Sequence, residues 1–313
     1  MREPPRTWPP QGLLRENTLH DMDAVITYVD GLDPQWRKDY SAFVGVTPEE
    51  KRFRDWGTLR YLLRGIQGCM PFVENVFLVV SSASQIPSWI DREQVSVVLH
   101  SDIIPAGLLP VFNSCTIEMF LHRIPSLAEE YLYFNDDMFP LLPCSREDFF
   151  PGGKAAIGFS RSCFAGNMYK KQCRVSDRLA RKALGMKPGC SYVRPQHICS
   201  PMLRSHCEAA FRAVEDEIPA RTSRLRTPDN ANQYFFLDYL YYGGFAINRI
   251  ISNKHLSQGV YSGERIAKFI LDPGTKLACI NDVAMSDAKY AVMREQITAA
   301  FEQRFPAKSR FEI

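Results

Sequence analysis

The sequence predicts an α/β fold, a mostly parallel sheet with helices on both faces and a helical insertion over an active-site crevice. Two observations carry this. Short apolar runs recur at residues 24–29, 75–80, 95–99 and 131–134, unbroken rather than alternating, with helical patterns between them. Strands buried on both faces read as continuous hydrophobic runs, the mark of a parallel sheet covered by helices. Several runs also end abruptly in acids: Asp30-Gly31, Asn135-Asp136-Asp137 and, after a later run at 277–280, Asn281-Asp282. Open α/β sheets bind ligands in the crevice beyond the carboxyl ends of their strands, so these tips mark the expected site.

In chain order, residues 1–21 are a proline-rich lead, expected to be loosely attached. Residues 22–151 form the α/β core, with its first strand at 24–29 and an amphipathic helix at 59–66. Strands at 75–80 and 95–99 follow, then a helix at 116–121 and the strand at 131–134. Residues 152–245 change character. Nine Lys or Arg fall between Arg161 and Arg194 against one acid, Asp177, and helical patterns follow at 202–214 and 231–242. This segment reads as a basic helical insertion. Residues 246–313 return to the core through the strand at 277–280 and a helix at 288–301.

Composition narrows the function. With 313 residues, 45% of them hydrophobic, the chain can bury a large core. A net charge of +3 without an aromatic-interleaved basic ladder argues against nucleic acid. No stretch approaches the roughly 18 apolar residues of a membrane span, and the first ten residues lack an apolar signal core. A cytoplasmic protein is expected, with peripheral contact at the inner face of the plasma membrane as a variant. The nine cysteines form no C-x-x-C pair, so reduced thiols are expected rather than a disulfide framework or a cysteine zinc site.

Carboxylates at three strand ends suit a hard cation such as magnesium, which prefers oxygen ligands and keeps waters that substrate phosphates can share. Each acid also has a plainer reading. Asp136 and Asp137 can hydrogen-bond backbone amides after their strand, and Asp30-Gly31 can be a simple turn.

The residues also fall into ordered blocks. Asp23 to Trp36 includes Tyr28, Asp30-Gly31 and Asp33-Pro34. A second block runs through Arg52-Phe-Arg54-Asp55, Arg60, His100, Phe112-Asn113-Ser114, Glu118, His122-Arg123 and Asn135-Asp136-Asp137. A third holds His197 and Arg226, and a fourth Cys279-Ile-Asn281-Asp282. In this order the chain resembles the Stealth family, whose members transfer a sugar 1-phosphate from a nucleotide sugar. The sequence departs from the family pattern at Tyr28, where Trp is common, at Thr58, where Glu is common, and around His197-Ile-Cys-Ser-Pro201.

The resemblance implies a Rossmann-like, glycosyltransferase A-like sheet and transfer of hexose 1-phosphate, N-acetylhexosamine 1-phosphate foremost, from a UDP-sugar to a glycan hydroxyl. UMP would leave, and cell-surface or capsular polysaccharide would be the product. A GDP-mannose donor is the alternative, and the acceptor is an anionic or neutral glycan, supplied with or without membrane assembly machinery. Such chemistry needs cationic stabilisation of phosphoryl oxygens, a proton acceptor and fixed geometry. Arg226 matches a catalytic position, and a guanidinium fork suits phosphate. Arg54 and Arg60 are further candidates, or pair with Asp55 or other carboxylates and merely hold the helix. The base is His197 or Asp137, with Asp30 facing the nucleotide. Asp33, Asn113, Ser114 and Asn135 are expected at the substrate. Asp136, Asp137, Asn281 and Asp282 are expected at Mg2+ or Mn2+. The basic segment is an acceptor-binding surface, a solvated face or a lipid contact. Two other functions are open: a metal-dependent glycosyltransferase that releases UDP, and a carbohydrate-binding scaffold.

Overall fold

The computed structural model describes residues 22–46 and 53–313; the proline-rich lead, His20 and Arg52 lie outside them. The core begins with β1 (Met22–Thr27), α1 (Pro34–Val44), α2 (Leu59–Cys69), β2 (Val73–Val80), β3 (Val95–Leu99) and the short α3 (His100–Ile103). It continues with α4 (Ser114–Glu118), β4 (Glu130–Asn135), β5 (Met138–Pro140) and α5 (Arg146–Phe149). The middle of the chain holds β6 (Ala155–Ile157), β7 (Phe159–Ser162), α6 (Met168–Ala183), β8 (Tyr192–Pro195), β9 (Ser200–Leu203), α7 (Arg204–Ala213), α8 (Ile218–Arg221) and α9 (Tyr234–Tyr242). The last part is β10 (Ala246–Asn248), β11 (Asn253–His255), α10 (Gly263–Leu271), β12 (Leu277–Cys279) and α11 (Asp287–Arg304).

The central sheet has the order β3-β2-β1-β4-β9. The first four strands are parallel and β9 runs antiparallel to β4. The apolar runs read from the sequence are these four strands, and they are buried as that pattern requires. Ala24, Val25 and Ile26 of β1, and Leu132 and Phe134 of β4, are inaccessible to solvent. Each such side chain contributes roughly 1.5–3 kcal/mol of burial free energy.

Sequence pattern and structure part at 202–214. The apolar spacing there reads as one helix, yet Ser200–Leu203 pair with β4 and the helix starts at Arg204. Pro201 lies opposite Leu132, and a residue without an N–H is tolerated because β9 is the edge strand. The aromatic helix predicted over 231–242 begins at Tyr234, whose N–H is capped by Asn232 Oδ1 at 3.1 Å. Two strands too short to show periodicity, β5 and β11, flank β12 in a second sheet of order β11-β12-β5. Among the described residues no helix is long and apolar enough to cross a membrane.

Local chemistry sets the elements around the crevice. Asp33 caps α1, accepting from the Trp36 N–H at 2.7 Å, and Pro34 occupies the first turn, a combination that starts helices because the missing proline N–H costs nothing there. Gly31 is fixed by close approach: a Cβ at that position would lie 2.1 Å from the Phe53 carbonyl oxygen, to which the Gly31 N–H donates at 3.1 Å.

Candidate active site

Beyond the carboxyl ends of β1 and β4 lies a cavity of about 400 Å³. Its acids arrive by a simple route. The chain leaves β4 at Asn135, turns through Asp136-Asp137 and enters β5, which pairs antiparallel with β12. The pairing continues one bond further, with the Ile280 N–H donating to the Asp137 carbonyl at 2.8 Å. That register sets Asn281-Asp282 against Asp136-Asp137, and all four line the cavity with Asn135 and Asp55.

Crowding of these carboxylates has an electrostatic consequence. Burial, then Asp137, Asp55 and Asp282, push the Asp136 carboxyl up to about 8. Asp137 and Asp282 are also raised, in both cases chiefly by burial. One oxygen of Asp137 and one of Asp282 are buried without a hydrogen-bond partner among the described residues. Buried polar atoms are rarely left unpaired without a reason. Orphaned carboxylate oxygens facing a repelling neighbour fit a hard divalent cation, and Asp136, Asp137, Asp282 and the Asn281 amide supply the oxygen set that magnesium or manganese prefers.

A second cluster touches the first. Ligand atoms of Asp137, His197 and Cys279 all lie within 4.8 Å of one another. Burial drives the Cys279 thiol far above its usual range, so it stays protonated and donates to Asp137 Oδ2 at 3.5 Å. Sulfur and imidazole are softer ligands than magnesium prefers, so beside the carboxylates the trio supports Asp137, with Cys279 as its hydrogen-bond donor. Burial lowers the His197 pKa, opposed by the charge of Asp137. The imidazole is therefore neutral at ordinary pH, with Nδ1 3.0 Å from the Tyr234 hydroxyl.

Across the cavity, Arg226 donates to the Ser114 hydroxyl. Asn113 holds the two segments together. Its Oδ1 caps α4 at the Cys115 N–H (3.2 Å), and its amide nitrogen donates to Ser223 O (3.0 Å) and Asn230 Oδ1 (2.9 Å). Asn135 Oδ1 accepts from the Tyr133 hydroxyl at 2.6 Å, and that hydroxyl also lies 3.4 Å from the buried Glu118.

The remaining expected residues sit elsewhere. Arg54 lines the cavity but pairs with Asp287 and lies over the Tyr290 ring. Arg60 lies over Trp89, 4.9 Å from its centroid, outside the cavity lining. Arg54 thus makes the plainer expected pairing with a carboxylate, Asp287 at the start of α11 rather than Asp55, while Arg60 is taken up by Trp89. Asp30 accepts from the Leu32 N–H at 2.8 Å, and its backbone is clamped by the buried Gln85, so it serves the turn. Asp33 is the α1 cap described above. Among the cavity residues not singled out for substrate from sequence are Asp55, Gln258 and His100. His255 was set aside as an ordinary histidine, yet its ring lies 6.2 Å from that of His197, because β11 pairs with β12 at His255 and Cys279. Spacing within the chain carries no sign of that neighbourhood.

Carboxylates gathered at strand ends, an arginine opposite them and a neutral histidine alongside define an α/β enzyme built for chemistry at phosphate. Residues 52–157 match the family profile described as Stealth protein CR2, conserved region 2. The capsular polysaccharide phosphotransferase WcwK of Streptococcus pneumoniae is 30% identical, over 94% of this chain and 100% of its own. The receptor polysaccharide phosphotransferase WefC of Streptococcus oralis is likewise 30% identical over the same shares. LcbA of Neisseria meningitidis, a capsular polysaccharide phosphotransferase, is 31% identical over 71% of this chain and 66% of its own. The chain belongs to the Stealth family of sugar-phosphate transferases. Among solved structures, the apo-form glycosyltransferase GlyE of Streptococcus pneumoniae aligns over 93% of this chain and 66% of its own, with 11% identity and a TM-score of 0.39.

Proposed function

We propose that this protein transfers hexose 1-phosphate, N-acetylhexosamine 1-phosphate foremost, from a UDP-sugar to a glycan hydroxyl. The products are a phosphodiester and UMP, in the synthesis of a cell-surface or capsular polysaccharide. The observation that carries the proposal is one cavity whose lining brings together Asp136, Asp137 and Asp282 with Arg226. Its volume lies within the range of small-molecule sites.

In this reading the acceptor oxygen attacks the phosphorus next to the sugar, and the bond from that phosphorus to the UMP oxygen breaks in line. Arg226 presents fixed N–H donors to the equatorial oxygens, where charge gathers in the transition state. Ser114 sets the direction of the guanidinium. His197, neutral and beside Asp137, takes the hydroxyl proton, and Asp137 stabilises the imidazolium that results. Bound magnesium or manganese, held by Asp136, Asp137, Asn281 and Asp282, would neutralise the diphosphate charge. Asn135, fixed by Tyr133, is placed to hydrogen-bond the donor.

Phosphorus NMR of the protein with UDP-N-acetylglucosamine, magnesium and a glycan panel tests this, with GDP-mannose as a second donor. A phosphodiester resonance together with nucleoside monophosphate, both lost with EDTA, is the expected result. Release of UDP without a phosphodiester would make the protein a glycosyltransferase instead.

A further inference from the structure

His197 stands between two cavities. On one side its neighbour Asp137 lines the space just described; on the other, His197 itself lines a second cavity of about 320 Å³. The walls of this second space come from the β7–β8 hairpin, the start of α6 and the segment around β11. We propose that it is the acceptor subsite, built for a glycan that carries an anionic group such as a phosphodiester. This inference rests on the sugar-phosphate transfer proposed above.

Three features select that ligand. First, the lining contains no Asp or Glu; its charged side chain is Arg194, which makes no ion pair among the described residues. Arg194 Nε is buried without a hydrogen-bond partner, and a planar guanidinium with a spare donor is suited to phosphate or carboxylate oxygens. Secondly, Gln196 Nε2 is also buried and unpartnered, although its Oε1 is held by the Ile251 N–H at 3.2 Å. That amide is fixed at one end and leaves a buried donor unsatisfied at the other. Gly158 makes room for it, since a Cβ there would lie 2.3 Å from Gln196 Oε1. Thirdly, Tyr169, a partly exposed residue, brings an aromatic side chain to the lining, and Ser160 and Asn253 add polar groups. Aromatic faces beside amides and hydroxyls suit sugar rings, whose apolar faces and hydroxyl edges need both.

The placement accounts for the position of His197. His197 lines the second cavity and its neighbour Asp137 the first, so a glycan held in the second cavity can bring its hydroxyl to the imidazole, which takes the proton as the oxygen attacks phosphorus.

The test compares an oligosaccharide linked by phosphodiesters with the uncharged oligosaccharide of the same sugars, for the wild type, Arg194→Gln and Ile250→Glu. Ile250 is 76% exposed at the rim, so its replacement tests the subsite even if the Arg194 variant does not fold. For the charged glycan KM is expected to rise roughly 10- to 100-fold in both variants, the loss of a charge-assisted hydrogen bond or the gain of a repelling charge. KM for the neutral glycan, and for the nucleotide sugar, should move less than threefold or so. Equal losses on the two glycans, or a shift in the donor KM instead, would overturn the assignment. Saturation-transfer NMR of the two oligosaccharides with wild type and variants measures binding without turnover. It therefore decides the subsite even if the wild type releases UDP and the transfer reaction itself is disproved.

Discussion

Cation binding at the acid cluster must displace a proton. Asp136 is pushed up to about 8 by burial and by the charges of Asp137, Asp55 and Asp282. The folded-state pKa is thus raised above the unfolded value near 4, and the sign of the linkage follows. As pH climbs from about 4 to about 8 the unfolded chain gives up this proton and the folded one keeps it, so the metal-free protein loses stability across that window. A divalent cation binds the ionised form. About one Asp136 in a hundred is ionised at about pH 6 and half at about pH 8, so the apparent affinity should rise roughly fiftyfold between them and level off above. Titration calorimetry with Mg2+ and Mn2+ measures this directly, in two buffers of different ionisation enthalpy at each pH. Close to one proton should be released per cation at the acid end and about half a proton near pH 8. Asp136→Asn should flatten the pH dependence, leaving what Asp137 and Asp282, both also raised, contribute. A Kd that stays level from about pH 6 to 8, with no proton released, would show that Asp136 is not a ligand and would refute the reasoning.

Three further outcomes follow from the same geometry. Arg226→Ala should lower kcat about 100- to 1000-fold, as loss of a transition-state donor does, and Ser114→Ala about 10-fold or less; initial rates of nucleoside monophosphate release separate the two. Asn113→Ala should cost on the order of 2–4 kcal/mol in urea denaturation and reduce activity with it, because the Ser223 carbonyl and Asn230 lose a buried donor and the segment carrying Arg226 loses its anchor. Glu118, raised to about 7 mainly by burial, holds its proton in the folded state while the unfolded chain releases it near 4.5. Stability should therefore fall by up to about 3 kcal/mol as pH rises through that interval, and Glu118→Gln should flatten the slope in melting curves taken at each pH.

What was legible in the sequence follows the range of the forces involved. The four parallel strands and α11 could be read because burial on both faces of a sheet, or along one stripe of a helix, imposes a local pattern. Strand β9 could not, since four residues including Pro201 form a strand only through pairing with β4. The acids after β1 and β4 were readable as a set because parallel strands end on the same side of the sheet; Asn281-Asp282 join Asp136-Asp137 through β12 of the second sheet, by its antiparallel pairing with β5. Their division into roles was not readable. Asp30 is claimed by a local turn, Arg54 by Asp287 at the start of α11, and Arg60 by Trp89. The Asp30 contact is local, within its own turn, whereas those of Arg54 and Arg60 are decided by the fold rather than by neighbours in sequence. The place of His197 is the clearest instance. Its approach to Asp137 depends on β5, β11 and β12, three-residue strands whose periods are too short to detect, yet whose register brings Asp137, Cys279 and His255 to one spot. A small sheet of weak local propensity persists because its residues are buried: Met138, Phe139, Leu277, Ala278 and Cys279 are all inaccessible or nearly so. Packing therefore holds Asp137, His197 and Cys279 within a few ångströms of one another, and a cavity-forming change such as Phe139→Ala should loosen the acid cluster and weaken cation binding before it unfolds the domain.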